Sequence, residues 1–288
     1  MSEREREKVS IRLHVDASGR IDRIEDPRPL VSVVIPAYRC GATLGRALDS
    51  VLCQDVSLEV LVVDDCSPED LTEVRRRYEG DSRVRFLKNQ RNLGAAGSRN
   101  RGVALASGAY IAFLDADDWW EEGKLFRQIA MMERTDAVLC CTARELVTAE
   151  GKPTGRVIPV AETVTYRDLL RHNSINCSSV LIRSDIMKRY RMEHEDSHED
   201  YILWLKLLRE HGPACGVNEP LLKYTLSSGG KSGSKLESAR KTYTAYRYAG
   251  LGRGASLICF CRYACHGTAK YLRAYLGGTR TRHGSGRR

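Results

Sequence analysis

The residues best placed to do chemistry stand in one row: Asp115, Ala116, Asp117 and Asp118, directly after the apolar run at 109–114 and with no basic neighbour. Carboxylates this close repel and raise one another's pKa unless a cation sits among them. Hard oxygen donors favour Mn2+ or Mg2+, which keep open positions for phosphate oxygens. The triplet therefore reads as a metal-holding turn. Asp118 alone also suits a plainer role, as a solvated turn residue or a cap for a helix starting near Glu121. A second pair, Asp64 and Asp65, ends the apolar run 58–63; alone, such residues often bond only local backbone. A third pair, Glu199 and Asp200, opens an amphipathic stretch, where acids also complement the helix dipole. His194 and His198, in the charge-rich loop before it, read as solvated.

What must position these groups is an alternation of short apolar runs and helical stretches. The runs 31–35, 58–63, 83–87 and 109–114 predict strands, and 41–52, 68–78 and 94–106 predict helices between them. Continuous apolar strands separated by helices predict a mostly parallel α/β sheet covered on both faces. Ligands of such sheets lie outside the carboxyl ends of the strands. Three of those ends carry Pro36-Ala37-Tyr38, Asp64-Asp65-Cys66-Ser67 and Asp115-Ala116-Asp117. The second half is less regular, with strands expected at 136–141, 176–183 and 221–226 and helices at 166–172 and 200–211. A Gly/Ser segment at 227–234 reads as a hinge or lid, and helices at 235–249 and 255–276 follow. Residues 1–29 read as an N-terminal extension with a hairpin or edge strand, closed by Pro27 and Pro29. The expected division is this extension, a catalytic domain at 30–235 and a basic helical extension at 236–288 with a disordered end.

Composition narrows the class. With 42% hydrophobic and 29% charged residues in 288, the chain suits a soluble globular fold. No apolar stretch reaches the roughly 18–20 residues that span a bilayer, and the charged N-terminus lacks a signal-peptide core. A cytoplasmic protein is expected. Its ten cysteines mostly lie among apolar neighbours, where a reduced thiol behaves as a small hydrophobe. Cys259, Cys261, Cys265 and His266 match no common zinc spacing.

Residues 231–288 hold thirteen Lys or Arg against one acid, a net +12, so the rest of the chain carries −3 of the total +9. Charge confined to one end fits an anionic surface better than a nucleic-acid groove. There, Leu257, Ile258, Phe260 and Tyr263 mix with Arg253 and Arg262. That pattern fits a helix in a membrane interface and equally one packed on the catalytic domain. No Gly-x-Gly-x-x-Gly follows the first strand, which argues against a dehydrogenase. The single glycine of the loop at 38–43 argues against a nucleotidyltransferase.

Taken in order, VSVVIPAY (31–38), VVDDCS (62–67), NLGAAGSRNRG (92–102) and FLDADDW (113–119) resemble the motifs of family 2 glycosyltransferases. SHEDYILWL (197–205) resembles that family's Glu-Asp catalytic segment, and 221–232 its closing loop. The match spans about 30–235. The resemblance implies a Rossmann-like GT-A fold and inverting, metal-dependent transfer from a nucleotide sugar, UDP foremost. The acceptor it implies is a capsule, exopolysaccharide or O-antigen precursor, including a lipid-linked one, at the inner face of the plasma membrane.

By the same resemblance, Pro36, Ala37 and Tyr38 line the nucleoside pocket, and Asp64 or Asp65 accepts from the base. Arg99, with Arg101 as the rival, approaches diphosphate or ribose, beside Asp115 and Ala116. Asp117 is the principal metal ligand, supported by Asp115. Asp200 is the base that deprotonates the acceptor hydroxyl, with Glu199 as the alternate, and Trp119, Asn176 and Ser178 lie on the acceptor side. The rival class is a silent glycan- or nucleotide-binding protein of the same fold, which the intact Asp115, Asp117 and Asp200 argue against.

Overall fold

A strand as apolar as Val31–Ala37 is stable only where both faces of its sheet are covered. The computed structural model describes residues 13–15, 21–23, 29–194, 196–226 and 235–264, and it meets that demand. Strands β1 (Leu13–Val15) and β2 (Ile21–Arg23) form a separate antiparallel pair. The alternating half follows as β3 (Val31–Ala37), α1 (Leu44–Leu52), β4 (Leu58–Asp64), α2 (Thr72–Arg77), β5 (Val84–Lys88), α3 (Gly94–Leu105) and β6 (Tyr110–Phe113). The second half holds β7 (Trp119–Trp120), α4 (Lys124–Thr135), β8 (Leu139–Val147), β9 (Pro153–Ile158), β10 (Thr163–Val164) and α5 (Tyr166–Arg171). It continues with β11 (Leu181–Arg183), α6 (Ser184–Met187), α7 (Glu199–His211), β12 (Ala214–Thr225) and α8 (Lys235–Tyr248). A last described helix covers 253–264.

The main sheet runs β10-β12-β8-β11-β6-β3-β4-β5, with β7 added on β12 and β9 on β8. Strands β3 to β6 are mutually parallel. Only β11 reverses within the body of the sheet, antiparallel to both β6 and β8. So β8, and β12 parallel to it, point the same way as the first four strands. Alternate side chains divide between two cores. Val34, Leu61, Val63, Ile111 and Phe113 pack with residues of α3, α7 and α8. Val33, Ile35, Val60, Val62, Ala112 and Leu114 pack with residues of α1 and α4. This is the mostly parallel α/β sheet expected.

Two details set the carboxyl end. Ala37 pairs with Asp64, and Leu114 N–H donates to Val34 O at 3.1 Å, so the ends of β6, β3 and β4 lie side by side. A Cβ on Gly102 would lie 2.3 Å from Val34 Cγ1. The missing side chain therefore lets α3 close on β3 and brings Arg99 toward those ends.

The second half departs from its expectations for local reasons. The helix expected near Glu121 starts at Lys124, because Trp119 and Trp120 pair with Lys223 and Leu222 as β7. Within 176–183, the Asn176 side chain accepts from Ser178 N–H and starts a 3-10 turn, Cys177–Ser179, leaving only three residues to β11. The run at 221–226 is the end of the longer β12, whose register shifts between Val217 and Leu222. The expected lid at 227–234 and the end of the helix placed at 255–276 lie outside the described residues.

Candidate active site

Backbone hydrogen bonds tie the acidic turn down from several directions. Asp115 N–H donates to Ser178 Oγ at 3.1 Å. Asp117 O accepts from Thr225 Oγ1 at 2.5 Å and from Arg46 Nη2 at 3.1 Å. Thr225 N–H donates to Asp118 Oδ1 at 2.8 Å. Asp118 is therefore only 1% exposed, and burial followed by the charges of Asp115 and Asp117 holds its pKa well above the carboxylate range. It is neither solvated nor a helix cap, which corrects the plainer role given to it from sequence. Ala116 is buried, Asp115 half-buried and Asp117 exposed.

Arg99 reaches this turn from α3. The side chain is 6% exposed, and its guanidinium meets Asp115 Oδ1 through Nη2 at 2.5 Å and Glu199 Oε1 through Nη1 at 3.0 Å. One buried cation thus joins the acidic turn to the first residue of α7. Arg101 turns elsewhere, donating to Lys88 O at 2.7 Å and Asn89 Oδ1 at 2.6 Å.

Beside Glu199, burial and then the Glu199 charge push Asp200 from 3.8 to about 6, against the opposing pull of Arg99. Its Oδ1 accepts from Tyr201 N–H at 2.7 Å. A carboxylate poised near neutrality is a suitable general base. The two histidines are packed rather than freely solvated. His194 stacks on Tyr248 with centroids 3.5 Å apart, and burial draws the half-buried His198 imidazole below its ordinary pKa.

On the other side of the site the two candidate aspartates separate. Asp65 is 3% exposed, and its Oδ1 accepts from Asn89 Nδ2 at 2.7 Å and Leu93 N–H at 2.8 Å, which ties β4 to the start of α3. Asp64 takes Ser67 N–H at 2.8 Å on Oδ1, with Lys88 Nζ 3.9 Å from Oδ2. It borders a cleft shared with Ser67, Leu71, Arg75, Phe86 and Lys88. Ala37 is buried, Pro36 half-buried, and the Tyr38 ring is 43% exposed at the mouth of the strand ends.

Of the residues expected on the acceptor side, Ser178 is buried under the turn. Its carbonyl accepts from Trp120 Nε1 at 2.8 Å, and the Asn176 side chain caps its own short helix. Trp119 is half-buried beneath the Arg46 guanidinium, 3.8 Å from the ring centroid. Sequence reasoning missed Arg46, Thr225, Arg144 and Tyr224. The last two feel the acidic turn electrostatically, and burial pushes the Tyr224 hydroxyl up to about 12. Arg46 and Arg144 lie outside the quoted motifs, while Tyr224 and Thr225 lie within 221–232, where nothing in their spacing ties them to the acidic turn.

Among the described residues, no three His, Cys, Asp or Glu side chains converge as a metal cage. The turn instead offers two carboxylates outward, Asp115 and Asp117, while Asp118 faces inward. That donor set fits Mg2+ or Mn2+ shared with a diphosphate, since such ions accept few protein ligands beside phosphate and water. It does not fit an ion held by protein alone.

Comparison with known proteins gives the family and the fold. The family model described as Glycosyl transferase family 2 matches residues 32–194. TuaG of Bacillus subtilis (strain 168), named for teichuronic acid biosynthesis, is 33% identical over 85% of this chain and 98% of its own. WfaP of Escherichia coli, named a UDP-Glc:alpha-D-GlcNAc-diphosphoundecaprenol beta-1,3-glucosyltransferase, is 31% identical over 85% of this chain and 97% of its own. The S. aureus TarS 1–349 structure with UDP-GlcNAc superposes with a TM-score of 0.65 at 18% identity, covering 81% of this chain and 71% of that one.

Proposed function

The chain belongs to glycosyl transferase family 2 and is a glycosyltransferase, and from that premise we propose that it transfers a sugar, with inversion, from a UDP-sugar to a cell-surface polysaccharide precursor. The observation that carries this reading is the single span Asp115–Arg99–Glu199, with Asp200 next in line. It joins the acidic turn to the start of α7, which supports reading the turn as the diphosphate side and Asp200 as the base.

Asp64 is the residue for the base of the nucleotide, because Asp65 is already committed to Asn89 and Leu93. The exposed Tyr38 ring, beside Pro36 and Ala37, provides a surface for the nucleoside. Asp117 and Asp115 would hold Mn2+ or Mg2+, which offsets the charge developing on the leaving diphosphate. Asp200 takes the proton of the acceptor hydroxyl as that oxygen attacks the anomeric carbon. Titrating at about 6, it is still mostly ionised at neutral pH, and the raised value makes it a better proton acceptor than an ordinary carboxylate. Glu199 holds Arg99, which leaves Asp200 as the carboxylate of the pair without a direct ion pair to that guanidinium. Trp119 and the Asn176–Ser178 turn border the acceptor.

The acceptor we propose is lipid-linked, as the name of WfaP specifies for that relative, and presented at the cytoplasmic face of the membrane. No described helix is long and apolar enough to cross a membrane. A panel of nucleotide sugars with Mn2+, scored for nucleoside diphosphate release in the presence of a diphosphate-linked N-acetylhexosamine acceptor, tests the reading. Release from a UDP-sugar supports it. Donor binding without release from any member of the panel would favour the silent binding protein.

A further inference from the structure

The helix at 253–264 is apolar on two sides. Inward, Ser256 is buried, Phe260 meets Tyr243 edge-on with centroids 6.3 Å apart, and Tyr263 stacks with His172 at 6.4 Å. Outward, Leu257 and Ile258 are each 56% exposed, more than any other large hydrophobic among the described residues, and Cys261 beside them is exposed too. A surface helix normally presents charge there. Exposed Arg253 and Arg262 border the strip instead.

Charge selects what covers this face. Residues 231–288 carry a net +12 while the rest of the chain carries −3. A second copy would bring a second strongly basic segment against the first, and like charges repel. Apolar side chains flanked by arginines match the layering of a bilayer interface, with acyl chains beneath anionic headgroups.

Position relates this face to the site. Helix α8 lies against the start of α7, where Ser197 Oγ donates to Lys241 O at 2.9 Å. Tyr263, on the 253–264 helix, stacks on His172, four residues ahead of Asn176 on the acceptor side. The helix therefore flanks the region that holds Glu199, Asp200 and the Asn176–Ser178 turn.

We propose that Leu257, Ile258 and Cys261, between Arg253 and Arg262, dock on a bilayer containing anionic phospholipid. Docking there brings a lipid-linked acceptor to Asp200; this consequence rests on the acceptor proposed above, whereas the docking itself does not. The test is flotation of the full chain with vesicles of phosphatidylcholine alone and of phosphatidylcholine with phosphatidylglycerol. The chain floats with the anionic vesicles, and added salt weakens the association. The double variant Leu257→Gln/Ile258→Gln keeps every charge, and its partition coefficient falls by at least about tenfold. Its nucleoside diphosphate release with a water-soluble acceptor stays at the wild-type rate.

The docking claim is overturned if the double variant floats like the wild type, or if the wild type ignores anionic vesicles. It is also overturned if light scattering finds a wild-type dimer that the variant splits, which would assign the face to a second copy. Absence of transfer to any acceptor sinks the proposed function instead, and flotation still decides the docking claim.

Discussion

Arg99 holds two carboxylates with one guanidinium, and its removal would leave Asp115 and Glu199 without their shared counter-charge. Breaking a fully buried pair costs about 3–5 kcal/mol. Asp115 keeps a third of its side chain exposed, so Arg99→Ala is expected to lose about 2–3 kcal/mol in urea denaturation at neutral pH. A loss below about 1 kcal/mol, the range of surface pairs, would contradict the bridging role.

Asp200 makes the pH prediction. Its carboxyl titrates near 6 in the fold instead of 3.8, so kcat/KM should rise through about pH 6 and level off above 7. A profile already flat at about pH 5 would exclude it as the base. Stability runs the other way. The folded chain keeps this proton up to about 6 and the unfolded chain loses it near 3.8. The contribution of the group is thus complete below the lower value and lost as pH climbs to the upper one. Asp200→Asn removes that loss, and its Tm at about pH 7.5 should equal or exceed the wild-type value.

At the scale of elements, α3 must lie close on β3 for Arg99 to reach the turn. Gly102→Ala would set a Cβ 2.3 Å from Val34 Cγ1, and β3, paired on both edges, has little freedom to yield. The helix should shift at a cost of about 1–3 kcal/mol, with turnover falling alongside Tm because Arg99 sits one turn earlier on the same helix. Wild-type turnover in this variant would show that the α3–β3 spacing does not matter to the site.

Elements were legible where burial is continuous. The apolar runs of β3, β4 and β6 fill both cores and could be read directly. β7 was not legible, because Trp119 and Trp120 are a strand only by pairing with Leu222 and Lys223, about a hundred residues away. β12 was half hidden, since exposed Asn218, Glu219 and Pro220 interrupt its apolar pattern at the register shift.

At the scale of the whole molecule, the charged residues of the site come from α3, the β6 turn and α7, and the parallel sheet gathers them at its carboxyl end. Motif spacing pointed to Asp64, Asp115, Asp117, Glu199 and Asp200 as candidates. It concealed that Asp118 points inward and that Arg46 and Thr225 hold the turn, because those contacts depend on strand order rather than on neighbouring residues. Since Ser178, Thr225, Arg46 and Arg99 secure the turn, the fold should not need a cation. Chelation is expected to abolish transfer while leaving the Tm of the nucleotide-free protein unchanged. A Tm that drops on chelation would reveal a structural ion instead.

The central claim is that Asp200 removes the acceptor proton at a site that binds the donor independently. The most direct measurement compares Asp200→Asn with wild type for both UDP-sugar affinity and transfer rate. Donor affinity should stay within about threefold while transfer falls by about 10²–10⁴-fold, the share expected of a general base. Transfer at the wild-type rate would contradict the account.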